Sequence, residues 1–99
     1  MIERRRSDRV PMSEPCVIAM EGREIPTLLE NLSEEGALLR VDAAAGGAVS
    51  SDDLGYEGTF LVTSFTPARR YSGEVIRLFF RDGNAFIAMR FWRPFLEVP

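Results

Sequence analysis

Histidine and lysine are both missing from this chain of 99 residues, and cysteine occurs once, as Cys16. Without histidine there is no side chain that ordinarily titrates near neutral pH, and the commonest general base and metal ligand is gone. A lone cysteine leaves no partner for an internal disulfide. Acidic residues stand singly or in adjacent pairs rather than at metal-ligand spacing. Neither a nucleophile with its base nor a glycine-rich phosphate loop can be picked out. These absences argue against an enzyme, a metal centre or a resident cofactor. No apolar run approaches the roughly 20 residues of a membrane-spanning helix, and the chain does not open with a charged-then-apolar leader. The expected location is therefore a reducing cytoplasm, without membrane insertion. Internal repeats are also lacking.

What is present fits one small domain over residues 1–99 with a single core, since 45% of the residues are hydrophobic. Those residues come in short runs divided by turn formers, and none keeps helical three-four spacing for the eleven or so residues that a helix needs. The pattern predicts six strands, over residues 15–20, 24–32, 36–41, 58–65, 71–80 and 84–91. Pro26 should mark an edge or irregular position. EGR at residues 21–23 reads as a turn, and Asp82 and Gly83 suit a tight hairpin. In YSGEVIRLFF, alternation places Ile76, Leu78 and Phe80 on one face and Arg77 and Phe79 on the other. NAFIAMRF groups Ala85, Ile87, Met89 and Phe91 against Phe86 and Arg90. Residues 42–57 are poor in large apolar side chains and read as a mobile loop with at most one helical turn. Six short strands favour a small antiparallel β-barrel, because closure removes open sheet edges.

The charge is unevenly placed. All twelve basic residues are arginine and the net charge is −3, yet ERRRSDRVP at the N-terminus gathers Arg4, Arg5, Arg6 and Arg9. Adjacent like charges and the restraint that Pro11 puts on Val10 disfavour a helix there. We read residues 1–14 as an arginine-rich flexible arm, residues 15–91 as the barrel and residues 92–99 as a short tail. A second motif, NLSEEG at residues 31–36, falls between two predicted strands. Asn31 and Ser33 can bond to nearby backbone, and Gly36 can take a positive φ. Arginine forks can grip phosphate oxygens or the O6 and N7 acceptors of guanine in plane, which lysine cannot do. An asparagine amide and a serine hydroxyl supply complementary contacts. Together the motifs suit an anionic, purine-bearing ligand. Asn31-Leu32-Ser33 also matches a glycosylation acceptor, which means little without a secretory leader.

In these two motifs the chain resembles the PilZ domain, whose pattern is R-x-x-x-R in an N-terminal arm and [D/N]-x-S-x-x-G after a strand pair. Arg5 and Arg9 match the first; Asn31, Ser33 and Gly36 match the second. GEVIR at 73–77 and AMRF at 88–91 resemble later strands of that family. The resemblance implies a six-stranded barrel that binds cyclic di-GMP, a bacterial messenger with two guanines and two phosphates, and passes the signal to a protein partner. It assigns phosphate and guanine-edge contacts to Arg5 and Arg9, with Arg4 as a further contact. Asn31 and Ser33 would meet a guanine, and Gly36 would let the backbone close in. Two departures stand out. Asn31 occupies a place where many members carry aspartate. The tail WRPFLEVP leaves room for little or no C-terminal helix, so Trp92 and Phe95 are expected to stay exposed and to favour a homodimer. The alternative reading is a PilZ-like protein-interaction module with weak or no nucleotide binding. A nucleic-acid-binding barrel is disfavoured by the acidic chain.

Overall fold

The computed structural model describes residues 10–43 and 49–99. Seven antiparallel strands follow one another: β1 (Val10–Met20), β2 (Arg23–Leu32), β3 (Gly36–Val41), β4 (Glu57–Val62), β5 (Ala68–Arg81), β6 (Asn84–Phe91) and β7 (Leu96–Val98). Their order is β4-β1-β2-β3-β6-β5, and pairing of β4 with β5 closes a six-stranded barrel. β7 is additional. It lies on the edge of β5 that β6 has just left, pairing Leu96 with Arg70 and Val98 with Ala68. No α-helix occurs among the described residues.

Local chemistry explains the short connections. Asp82 and Gly83 both take positive φ, 54° and 81°, as does the pair Glu21 and Gly22. Two successive positive values give the turn whose twist matches that of the flanking strands. Inward residues then alternate along each strand. Ile18, Met20, Ile25, Leu29, Leu39, Val41, Phe60, Val62, Val75 and Ile87 are almost wholly removed from water. Burying each such side chain is worth about 1.5–3 kcal/mol, and this packed interior holds the barrel closed.

Several sequence-based expectations need correction. β1 begins at Val10, so residues 10–14, assigned above to the arm, belong to the barrel. Pro11 and Pro15 are tolerated because β1 pairs with β4 only through residues 18–20, leaving its earlier half a free edge on that side. Pro26 does not lie on an edge strand; β2 runs between β1 and β3, and Pro26 sits one residue beyond the β2–β3 ladder, where its carbonyl accepts the Asp42 N–H at 3.0 Å. In β5 the expected faces hold for Arg77, Leu78 and Phe79 but not for Ile76 and Phe80. The pairing steps from Val75↔Met89 to Arg77↔Ala88, so Ile76 is a bulge residue and inside and outside exchange there. Tyr71 and Val75 point inward before it, Ile76 is 41% exposed, and Phe80 at the far end is 72% exposed. Leu78 packs on the core as expected.

The connection before β4 is also more tightly held than expected from residue 49 onward. Val49 is buried, and a 3-10 turn spans Ser51–Asp53 with reciprocal capping between Ser50 and Asp53. The buried Asp53 carboxylate accepts from Arg23 at 2.6 Å and from the Ser50 N–H at 2.9 Å. Gly55 and Tyr56 extend this anchor by exchanging backbone bonds with Val75.

Candidate functional site

The NLSEEG segment forms the tight connection from β2 to β3. The Ser33 hydroxyl oxygen accepts the N–H groups of Glu35 and Gly36 at 3.1 and 3.2 Å, and its O–H points to the Gly36 carbonyl at 3.3 Å. The Ser33 N–H donates to the same carbonyl at 2.9 Å. The hydroxyl is thus a fixed oxygen inside the turn. Glu35 anchors the turn from the other side, its carbonyl accepting the Phe91 N–H at 2.8 Å.

Gly36 serves a different need from the one its sequence context suggests. Its φ is not positive; it starts β3 opposite Arg90, and a β-carbon there would overlap the Met89 carbonyl oxygen. Glycine lets β3 and β6 approach at this corner of the barrel, and the backbone that it admits is β6. Asn31 lies at another irregularity. The β2–β3 register slips between Leu29 and Asn31, so Leu29 and Leu32 both face the core while Asn31 is half-buried, paired with Pro11 on one side and Leu38 on the other.

That register sets the start of β1 beside the second motif. Val10 pairs with Leu32 and Pro11 with Asn31. The residue that directly follows Arg9 is therefore held against the strand that ends in the Ser33 turn, and Val10 and Ser33 line one cleft of about 480 Å³. Arg4, Arg5 and Arg9 themselves lie outside the described residues.

The cleft sits on the rim of the barrel, and aromatic side chains form its floor. Tyr71 stacks with Phe60 at 5.5 Å and meets Phe91 at 4.9 Å and Phe95 at 5.5 Å between ring centres. Phe95 is therefore not exposed as the sequence suggested; β7 carries the tail back along β5 and the ring closes on the core. Trp92 does remain exposed. Arg69 enters the cleft between two rings, its guanidinium carbon 3.8 Å from the centre of Phe65 and 4.1 Å from that of Phe95. A second cleft of about 560 Å³ shares Glu34, Tyr71 and Phe95 with the first and extends past Arg90, Trp92 and Arg93. Among the described residues no group of His, Cys, Asp and Glu could hold a metal ion.

The PilZ domain family model matches residues 3–94. The chain belongs to the PilZ domain family. The solved structure of the Bacillus subtilis inhibitor of motility, MotI/DgrA, is similar to it with a TM-score of 0.72 at 18% identity; the match covers 94% of this chain and 44% of that one. At this identity the likeness concerns the fold, and the chain spans under half the length of that protein. No curated protein matches the chain in sequence.

PilZ domains form a family of cyclic di-GMP receptors and are binding modules. In this PilZ domain the structure places Asn31, Ser33 and Gly36 in one turn region, with the start of β1 at Val10 beside it. Sequence reasoning did not find Arg69. The signal was present as RR within a strand flanked by aromatic residues, but the rings that hold it come from the β4–β5 connection and from the tail. No helix among the described residues is long and apolar enough to cross a membrane.

Proposed function

We propose that this PilZ domain is a receptor for cyclic di-GMP that changes conformation on binding and thereby signals to a protein partner. The observation that supports the reading is the β1–β2 register: Val10↔Leu32 and Pro11↔Asn31 hold the residue that follows Arg9 against the strand that ends in the Ser33 turn. Arg5 and Arg9, with Arg4, supply charge-assisted forks to phosphate and guanine acceptors. Asn31 presents an amide to a guanine edge, while Ser33 holds the turn that presents it. The ligand's negative charge offsets the mutual repulsion of the arginines, which supports closure of residues 1–9 on the barrel as the signalling step. A few such contacts, less the cost of ordering residues, give an affinity near 1 μM, about 8 kcal/mol.

Titration calorimetry with cyclic di-GMP, with GTP as the control, tests this. Saturable heat with the cyclic dinucleotide and much weaker heat with GTP is the expected result. Arg5→Lys and Arg9→Lys keep the charge but lose the fork, and each should weaken binding by about 1–3 kcal/mol. Absence of saturable heat at protein concentrations well above micromolar would leave the domain as a protein-interaction module.

A further inference from the structure

The rim cleft contains a guanidinium held between two aromatic rings, that of Arg69. Arg69 is covered on both faces, by Phe65 and by Phe95. Stacking on both sides removes water from the faces of the group and fixes its plane. Only the edge, with its in-plane N–H donors, remains available. Among the described residues no carboxylate forms an ion pair with it, whereas Arg23 and Arg40 have theirs. Arg69 shares the cleft with Ser33 and Glu34 and with the apolar side chains of Val10, Met12 and Leu32. The volume of about 480 Å³ falls within the usual span of small-molecule sites, roughly 300–1,000 Å³.

The lining selects among ligand fragments. A phosphate would gain from Arg69 but meet the Glu34 carboxylate. A purely apolar group would leave the guanidinium edge unsatisfied. Guanine fits both charges, because its O6 and N7 accept a bidentate arginine while its N1–H and N2–H₂ groups donate to a carboxylate. Adenine does not fit, since it offers an N6–H₂ donor where guanine has the O6 acceptor, opposite the Arg69 fork.

We propose that this cleft is a guanine subsite, with Arg69 reading the O6/N7 edge and Glu34 the N1/N2 edge of one base of the cyclic dinucleotide. The inference rests on the receptor reading above and deepens it. Asn31 and the arginine motif hold the phosphates and one base; Arg69 and Glu34 hold the other. Arg69 also sets the preference for guanine over adenine.

The test is calorimetry on the full chain with cyclic di-GMP, cyclic di-AMP and the inosine analogue cyclic di-IMP, which lacks the exocyclic N2 amine. Arg69→Lys and Arg69→Gln should weaken cyclic di-GMP roughly ten- to a hundredfold and narrow its advantage over cyclic di-AMP by a similar factor. Glu34→Gln should weaken cyclic di-GMP and also shrink the penalty for replacing it with cyclic di-IMP, a coupling that a purely structural role would not produce. Melting curves without ligand accompany each variant. If Arg69→Gln does not fold, Arg69→Lys and the exposed Glu34→Gln carry the measurement. Wild-type binding of cyclic di-GMP with unchanged affinity and unchanged base selectivity in folded Arg69 and Glu34 variants overturns the subsite and leaves the receptor intact. Failure of the wild type to bind overturns both.

Discussion

At the scale of single residues, two buried groups define what the barrel tolerates. Burial alone would raise the Asp53 carboxyl, but hydrogen bonds from Arg23 and the Ser50 N–H, with the charge of Arg23, hold it below the ordinary carboxylate range. A depressed folded value means that the ionised form stabilises the fold above the unfolded value of about 3.9, and that this contribution is lost as pH falls through the folded value. Asp53→Asn should therefore cost about 1–2 kcal/mol at neutral pH, a figure reduced because Arg23 is partly in water. In urea melts the difference from wild type should shrink as pH falls below 4; a constant difference would place the effect elsewhere. For Cys16, burial and then the nearby Glu14 charge push the thiol up, more than the Thr27 hydrogen bond lowers it. The thiolate is the reactive form, so Cys16 should resist thiol reagents in the folded protein and react fully in denaturant. Fast labelling under native conditions would contradict its placement in the core. Gly36 makes a third residue-scale case. Because its neighbour is the Met89 backbone and not a flexible side chain, Gly36→Ala should destabilise the ligand-free barrel by about 1–3 kcal/mol in chemical denaturation. Any loss of nucleotide binding in that variant is then read against its lower stability.

At the scale of elements, legibility followed the regularity of each strand. β3 and β6 were legible to the residue, because turn formers bound them on both sides and their inward residues alternate without interruption. β5 was not, since a bulge leaves no mark in a pattern of Val, Ile, Leu and Phe; only pairing with β6 shows that Ile76 is the extra residue. The β1 start was hidden because the expected strand opens at Pro15, and the residues before it, with Pro11 among them, read as strand only once the free edge beside them is seen. β7 was hidden for a related reason, as Pro94 and Pro99 punctuate a tail whose strand exists through β5. The site divides in the same way. The NLSEEG turn is local and could be read directly, while the Arg69 clamp assembles side chains from segments distant in sequence. The bulge itself has a consequence. It leaves Phe79 and Phe86 on the outer face, stacked at 5.1 Å between centres and 8° between planes, with Arg77 and Arg81 over the Phe79 ring. A double-mutant cycle of Phe79→Ala and Phe86→Ala should show a coupling of about 0.5–1.5 kcal/mol, typical of an aromatic pair. Zero coupling would mean that the rings are held by their strands alone.

At the scale of the whole molecule, β1 does two things: it closes the ring against β4, and its first residue, Val10, lies against Leu32 at the end of the strand that leads into the Ser33 turn. The tail contributes by folding Phe95 onto Tyr71. That contact leaves Trp92 and Leu96 as the large apolar side chains that the tail still exposes. What ligand adds to such a small domain should then be visible as stability. A ligand bound only by the folded state at 1 μM, supplied at a hundredfold excess over its dissociation constant, stabilises by about 2.7 kcal/mol. In a domain of this size each kcal/mol moves the melting temperature by about 4–8 °C. Saturating cyclic di-GMP should accordingly raise Tm by about 10 °C or more, in proportion to the logarithm of ligand concentration, and GTP should not. Arg9→Lys should lower the liganded Tm while leaving the free Tm nearly unchanged, because Arg9 precedes the first strand and its proposed partners belong to the ligand. A variant in which both melting temperatures fall together would show that Arg9 supports the barrel, and the division of labour between arginine motif and rim would have to be redrawn.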